Sequence, residues 1–287
     1  MASELISRID AHKHELSKGQ RKLTAYITEH YDKAAFMTAA KLGETVGVSE
    51  STVVRFADKL GYDGYHKMQK ALHEMIRTKL TSVQRIEVTN DRIGSTDVLE
   101  AVMAADAERI RSTLGEIDRE AFNTAVDKLV SAKHIYIIGV RSAASLASFL
   151  GFYFNSIFAN VTLISTATLS EMFEQLLRIG EGDVALGISF PRYSARTVSA
   201  LRFAKDRGAH VIGITDSAFS PIAETSTTTL IARSDMASFV DSLCAPLSLI
   251  NALIVAIGMR KSDEISQTFE QLERIWDEYN VYQKTQQ

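Results

Sequence analysis

Residues 182–224 read GDVALGISFPRYSARTVSALRFAKDRGAHVIGITDSAFSPIAE, and their grammar decides the fold. Two short apolar runs, VALGIS (184–189) and HVIGIT (210–215), flank a stretch of helical period. Strands joined through one helix are parallel neighbours, because a parallel pair needs a long crossover. The alternation continues outward: IYIIGV (135–140) and VTLIS (161–165) come before, TTLIA (228–232) after, with helical segments between. Five such runs predict an α/β three-layer sandwich built on a five-stranded parallel sheet. The stripe Leu243, Leu247, Ile250, Leu253, Ile254 and Ile257 predicts a helix covering that sheet or a partner subunit, and Phe269, Leu272, Ile275 and Trp276 a terminal helix.

Residues 1–80 differ. They read as helix throughout, with breaks at turn residues, so an all-α unit precedes the sandwich. TSVQRIEVTNDRIGS (81–95) is polar and loses its period, which marks a linker. The predicted organisation is a helical domain at 1–80, a linker at 81–97, and an α/β domain with flanking helices at 98–287. A length of 287 residues suits two such units. With 15 Gly, 3 Pro and no low-complexity run, collagen-like and disordered classes are excluded. No apolar run reaches the roughly 20 residues of a membrane span, and MASELISRID lacks a secretory apolar segment. Cys244 is the single cysteine, so no internal disulfide can form; it is expected to be inert filler among apolar residues, in a cytoplasmic protein. Charge is uneven: the first 80 residues carry 13 Lys/Arg against 10 Asp/Glu, the remainder 19 against 25. That surplus alone could be a solvated face and does not establish nucleic-acid binding.

Within the helical unit, TAAKLGETVGVSESTVVRFADKLGY (38–62) holds two helical patterns joined at Gly47-Val48-Ser49. Leu42 and Val46 edge the first helix, Val53 and Phe56 the second. Gly47 is placed to end the first helix in a left-handed conformation and Ser49 to cap the second. A turn this short makes the helices cross steeply, with Gly43 small at the crossing, as in a helix-turn-helix. The second helix then presents Glu50, Ser51, Thr52, Arg55 and Lys59 with Ser49 at its cap, and Lys41 lies on the first; Lys67 and Lys70 could add contacts. Hydroxyls can meet phosphate or base edges, Arg can pair with guanine, and Lys suits phosphate. An amphipathic helical hairpin with a polar outer face would show the same spacing. Met68, Leu72, Met75 and Ile76 are expected to pack in the core or a dimer. Residues 16–72, and VSESTVVRFADKLGYDGY (48–65) most closely, resemble the DNA-binding domain of the RpiR/MurR family of bacterial transcriptional regulators. The resemblance implies that the second helix reads DNA.

In a parallel sheet ligands gather at the strands' carboxyl ends, where helix N-termini favour anions. One junction is IYIIGVRSAASLAS, with Gly139, Arg141 and Ser142. Another is ISFPRYSARTVSAL, with Ser189, Arg192, Tyr193, Ser194 and Thr197. A third, GITDSAFSPIAE, places Thr215, Asp216 and Ser217 at a strand end and Pro221 at a helix start. Hydroxyls, amides and a guanidinium suit a phosphate monoester, although Ser and Thr also simply cap helices in such folds. Residues 130–260 resemble the sugar isomerase (SIS) domain that follows the helix-turn-helix in RpiR/MurR regulators. That resemblance implies a flavodoxin-like sheet binding a phosphorylated sugar or related metabolite. Two departures stand out: GVRSAA has Arg141 in place of a second glycine and Ala143 in place of a serine, and the family's Ser-x-Ser-Gly-x-Thr loop reads SFPRYSART, where Ser189 and Thr197 remain recognisable and Pro191, Arg192 and Tyr193 are expected to enlarge the turn. A phosphate or a sugar-acid carboxylate would suit the two added arginines.

Isomerisation needs an acid and a base in the pocket. Here His134 and His210 fall at strand starts, and Glu171 and Glu174 read as a polar helix face. No metal cluster, P-loop or nucleophile elbow appears, so neither metal nor cofactor is expected. The sequence therefore predicts a DNA-binding regulator that senses an anionic sugar metabolite without turning it over. A homodimer or homotetramer would match a palindromic operator. A phosphosugar isomerase with an accessory helical domain, and a DNA-binding protein whose second domain only dimerises, are the rival classes.

Overall fold

The computed structural model describes residues 4–79, 83–86, 89, 97–166, 168–234 and 240–282. The chain forms two compact units, Met1–Ala101 with Met236–Asp241, and Val102–Asp235 with Ser242–Gln287.

The first unit is helical. Helices α1 (Glu4–His12), α2 (Lys18–Glu29), α3 (Tyr31–Ala34), α4 (Ala39–Val46), α5 (Glu50–Lys59) and α6 (Gly64–Lys79) follow one another, with a 3₁₀ turn at Lys13–Glu15. The starts of α2, α4 and α5 are fixed by side-chain caps: Ser17, Thr38 and Ser49 accept from the backbone amides of Gln20, Lys41 and Thr52. Such caps contribute about 1 kcal/mol each. Gly47 ends α4 at φ 72°, a left-handed position where a side chain would be strained. At the crossing, a Cβ on Gly43 would stand 2.8 Å from the Val48 carbonyl oxygen, so the steep turn depends on its absence. Leu23, Ile27, Leu42, Val53, Phe56, Leu60, Met68 and Leu72 are buried in one core. Arg8 of α1 donates to the carbonyls of Leu60 and Gly61 at 2.9 and 2.8 Å and lies over the Tyr62 ring, closing the C-terminal end of α5.

The second unit runs α7 (Val98–Glu116), α8 (Arg119–Val130), β1 (Ile135–Gly139), α9 (Ala143–Ile157), β2 (Val161–Ile164), α10 (Leu169–Gln175), β3 (Val184–Ile188), α11 (Ala195–Asp206), β4 (His210–Thr215), α12 (Pro221–Thr225), β5 (Thr228–Ile231), α13 (Cys244–Arg260) and α14 (Ser262–Glu278). All strand pairs are parallel, in the order β2-β1-β3-β4-β5. The five expected strands are therefore present, each within one residue of its expected end. Alternate residues of β1 serve opposite layers: Ile135 and Ile137 pack with α8, α9 and α13, whereas Tyr136 and Ile138 pack with α10, α11 and α12. Ile250, Leu253 and Ile257 of the expected α13 stripe are buried against the sheet. On α14 no residue is buried, and Phe269 and Ile275 are exposed.

Three expectations meet different outcomes. Most of the expected linker, and the side chains of Met75 and Ile76, lie outside the described residues. Cys244 is not core filler: it is exposed at the start of α13, and its Sγ donates to Asp106 Oδ2 at 3.1 Å. Asp106 also accepts from Ser242 Oγ at 2.6 Å and Arg109 at 2.8 Å, so α7 is pinned to the chain entering α13. The Asp106 hydrogen bond and burial push the Cys244 thiol above its ordinary pKa, which disfavours the reactive thiolate. Among the described residues no single helix is long and apolar enough to cross a membrane.

Candidate functional site

On the first unit, α5 exposes Glu50, Ser51, Arg55 and Asp58 to solvent, while Val53, Phe56 and Ala57 face the core. Ser49 is used locally: it caps α5, and its Oγ lies 2.9 Å from the hydroxyls of both Ser51 and Thr52. Lys41 pairs with Glu44 across the surface of α4. Lys59 is directed elsewhere than expected. Its ammonium donates to the Glu15 carbonyl at 2.7 Å and pairs with the Glu15 carboxylate at 3.5 Å, fastening the 3₁₀ turn to α5. Arg55 and Ser51 are thus the exposed side chains of α5 best placed to donate to bases and phosphates, with Thr52 half-buried beside them.

On the second unit, the register places Gly139 opposite Ile188, so the loops leaving β1 and β3 emerge side by side. The strand order reverses between these two strands, the topological switch point where α/β sheets open a crevice. Gly139 serves this by shape: a Cβ there would stand 2.8 Å from both the Ala143 carbonyl oxygen and the Ala147 Cβ, so its absence lets α9 start close against β1. Ser142 begins α9 without a side-chain capping bond, leaving its hydroxyl exposed beside the helix start.

The β3 loop is tied more tightly. The buried Ser189 Oγ accepts from the Ser194 amide at 3.1 Å, and Ser194 Oγ caps α11 by accepting from the Thr197 amide at 3.4 Å. Thr197, in the first turn of α11, is fully buried, and among the described residues its Oγ1 has no hydrogen-bond partner. A hydroxyl so placed costs free energy until something bonds to it. Tyr193 turns toward the third junction, where its hydroxyl donates to the buried Asp216 at 2.9 Å; Thr215 Oγ1 contacts Asp216 and Ser220.

Arg141 (φ 59°) and Arg192 (φ 63°) both hold left-handed backbone, and both are exposed. This explains the two sequence departures. Each arginine stands where the resembling motif has glycine because the loop needs positive φ, and an L-residue there costs about 1–2 kcal/mol. Ser189, Arg192 and Ser194 stand at the spacing of the first serine, the glycine and the threonine of Ser-x-Ser-Gly-x-Thr, and the positive φ of Arg192 suits the glycine position. The expected anion ligands are thus divided. Ser189 and Ser194 shape the loop, Tyr193 is engaged by Asp216, Thr197 is buried in the first turn of α11, and Arg141, Ser142 and Arg192 are exposed on the loops that leave β1 and β3.

The histidines lie at the other edge of the sheet. His134 stands just before β1, His210 opens β4, and they approach Thr162 and Thr228 Oγ1 at 2.8 and 2.9 Å. Burial, aided by Lys128, lowers the His210 pKa and so favours its neutral ring. Glu171 is engaged by Thr166 Oγ1 at the start of α10. Among the described residues no cluster of His, Cys, Asp or Glu could hold a metal ion.

Comparison with known proteins agrees with both halves. A family described as "Helix-turn-helix domain, rpiR family" matches residues 3–79, and the SIS domain matches residues 128–256. The HTH-type transcriptional regulator HexR of Escherichia coli is 27% identical over 264 residues, covering 90% of this chain and 89% of the relative. HexR of Pseudomonas aeruginosa is 24% identical over 261 residues, covering 90% of each. Among solved structures, the sugar isomerase domain of an RpiR transcription factor from Sphaerobacter thermophilus superposes with a TM-score of 0.58 at 28% identity, covering 60% of this chain and 96% of that one. The Vibrio vulnificus NanR protein, complexed with ManNAc-6P, gives a TM-score of 0.59 at 20% identity and covers 96% of this chain and 98% of its own.

Proposed function

We propose that this chain, which carries a helix-turn-helix domain of the rpiR family and a SIS domain, is a transcriptional regulator in which α5 reads operator DNA and a phosphorylated sugar or sugar acid, bound at the crevice between β1 and β3, sets its affinity. Two recognition helices in a homodimer or homotetramer would be spaced about 34 Å apart on a palindromic operator. The effector acts only through its difference in affinity for the DNA-competent and DNA-released arrangements.

The observation that carries the effector reading is Thr197: a fully buried hydroxyl without a partner, in the first turn of a helix whose cap faces a strand end. First-turn amides and a waiting hydroxyl favour a small anion, and Arg141 and Arg192 at the mouth supply charge. The ManNAc-6P held by the NanR protein supports the ligand class. Binding proceeds without turnover, a reading supported by the location of both histidines of this unit at the strand starts, away from the crevice. The test is a thermal-shift screen of sugar phosphates and sugar acids, followed by DNA binding with each hit. A hit that changes DNA affinity in the unmodified protein but not in Arg192→Ala/Thr197→Val supports the reading. Absence of any shift across both compound classes overturns it, and chemical conversion of a hit would favour an isomerase.

A further inference from the structure

We infer that residues 13–22 form a phosphate-gripping ridge beside the recognition helix, with Lys18 and Lys22 as its DNA contacts. The inference rests on the reading of α5 as the helix that enters the groove. Two observations fix where this stretch runs. Near the C-terminal end of α5, Lys59 holds Glu15 through both its carbonyl and its carboxylate. Near the N-terminal end, Gly19 comes so close that a Cβ on it would stand 3.3 Å from Val48 Cγ1 and 3.4 Å from Thr52 Cγ2. The chain from Glu15 to Gly19 therefore lies along one side of α5, antiparallel to it, and opens α2 at the Thr52 end.

Helical geometry then orients the lysines. On α2, Gln20, Leu23 and Ile27 face the core and Gly19 faces α5. At about 100° per residue, Lys22 stands roughly 60° from Gly19, and Lys18 roughly 100°, both on the side away from the core. Both are exposed, and among the described residues neither has an ion-pair or hydrogen-bond partner. Glu15 is the sole acid between residues 13 and 22, and Lys59 already neutralises it.

The major groove is about 12 Å wide and a helix with its side chains about 10–12 Å across, so a recognition helix fills the groove. Whatever packs beside that helix must lie over the groove wall, which is phosphate backbone. Lysine, a compact and mobile point charge, suits such a contact and carries no base preference.

The experiment uses the full chain, fluorescence anisotropy and two duplexes over a range of salt: one enriched from a random-sequence pool by the unmodified protein, and a scrambled duplex of the same composition. Lys18→Ala/Lys22→Ala should weaken both duplexes by a similar factor and flatten the plot of log affinity against log salt by about 0.9 for each phosphate no longer neutralised, near 1.8 for the pair. Lys18→Arg/Lys22→Arg should keep the original slope. An unchanged slope in the alanine pair, or a loss confined to the enriched duplex, overturns the ridge. Arg55→Ala, measured alongside, separates the two readings. If it relaxes the preference for the enriched duplex while the lysine pair leaves the slope unchanged, the ridge alone fails. If it leaves that preference intact, the groove placement of α5 fails and the ridge with it.

Discussion

Thr197→Val replaces the buried hydroxyl by a methyl of nearly the same size and probes the anion site from both sides. Thr197 Oγ1 is fully buried, and among the described residues nothing bonds to it. A buried hydroxyl without a partner costs about 1–3 kcal/mol, so its removal should stabilise the second unit by about 1 kcal/mol once imperfect methyl packing is allowed for. For a unit of this size that raises the melting temperature by about 2–4 °C. With ligand the sign reverses. A hydrogen bond to a charged group contributes about 1.5–3 kcal/mol, so the variant should bind its effector roughly 10- to 150-fold more weakly. At a ligand concentration of about 100 times the unmodified Kd, the unmodified protein gains about 2.7 kcal/mol of stabilisation, of which the variant should forfeit about half to nine-tenths. Calorimetric melting with and without ligand, and titration calorimetry, measure both. A variant that is less stable when ligand-free, yet binds the effector with unchanged affinity, would refute the reasoning: the hydroxyl would then serve the fold.

Arg55→Ala should cost about 1–3 kcal/mol on an enriched duplex and much less on a scrambled one; equal losses on both would make Arg55 a backbone contact. At position 141, where φ is 59°, Arg141→Gly should unfold at higher urea than Arg141→Ala by about 1 kcal/mol, because alanine keeps the left-handed cost, and both should bind the effector less tightly than the unmodified protein. The reverse order of stabilities would show that the loop relaxes without glycine-like backbone. Burial raises the Asp106 pKa, but hydrogen bonds from Ser242 and Cys244 and the Arg109 guanidinium outweigh it and hold the carboxyl below its ordinary value. Its stabilisation is therefore complete above the unfolded pKa of about 4 and is lost as pH falls through the lower folded value. Asp106→Asn should flatten the acid limb of stability against pH, and an unchanged limb would remove Asp106 from the account.

What can be read from the sequence divides by the distance over which its causes act. Strand and helix positions, the Gly47 stop and the Ser49 cap follow from neighbours within a few residues, and they are found where periodicity and capping put them. The loop after β3 is local in the same way, since the Ser194 amide donates to Ser189 and the Thr197 amide to Ser194. Lys59 is misplaced by such reasoning because its partner is Glu15, 44 residues earlier. Cys244 is misplaced because Asp106 lies 138 residues away on another helix. No local pattern announces either pair.

Arg141 and Arg192 expose a different blindness. A sequence displays the side chain but not φ, so an arginine at a glycine position reads as an insertion of bulk and charge into the loop. The backbone reverses that inference: at φ 59° and 63° the loop keeps the turn that glycine would give, and the arginine is added to that turn. Since a left-handed arginine costs stability, and two loops that flank one crevice each carry one, their shared cause is better sought in what the crevice holds than in the folding of either loop. On the proposed effector reading, the two exposed arginines and the buried Thr197 hydroxyl in the first turn of α11 answer one requirement, a small anion held where β1 and β3 part.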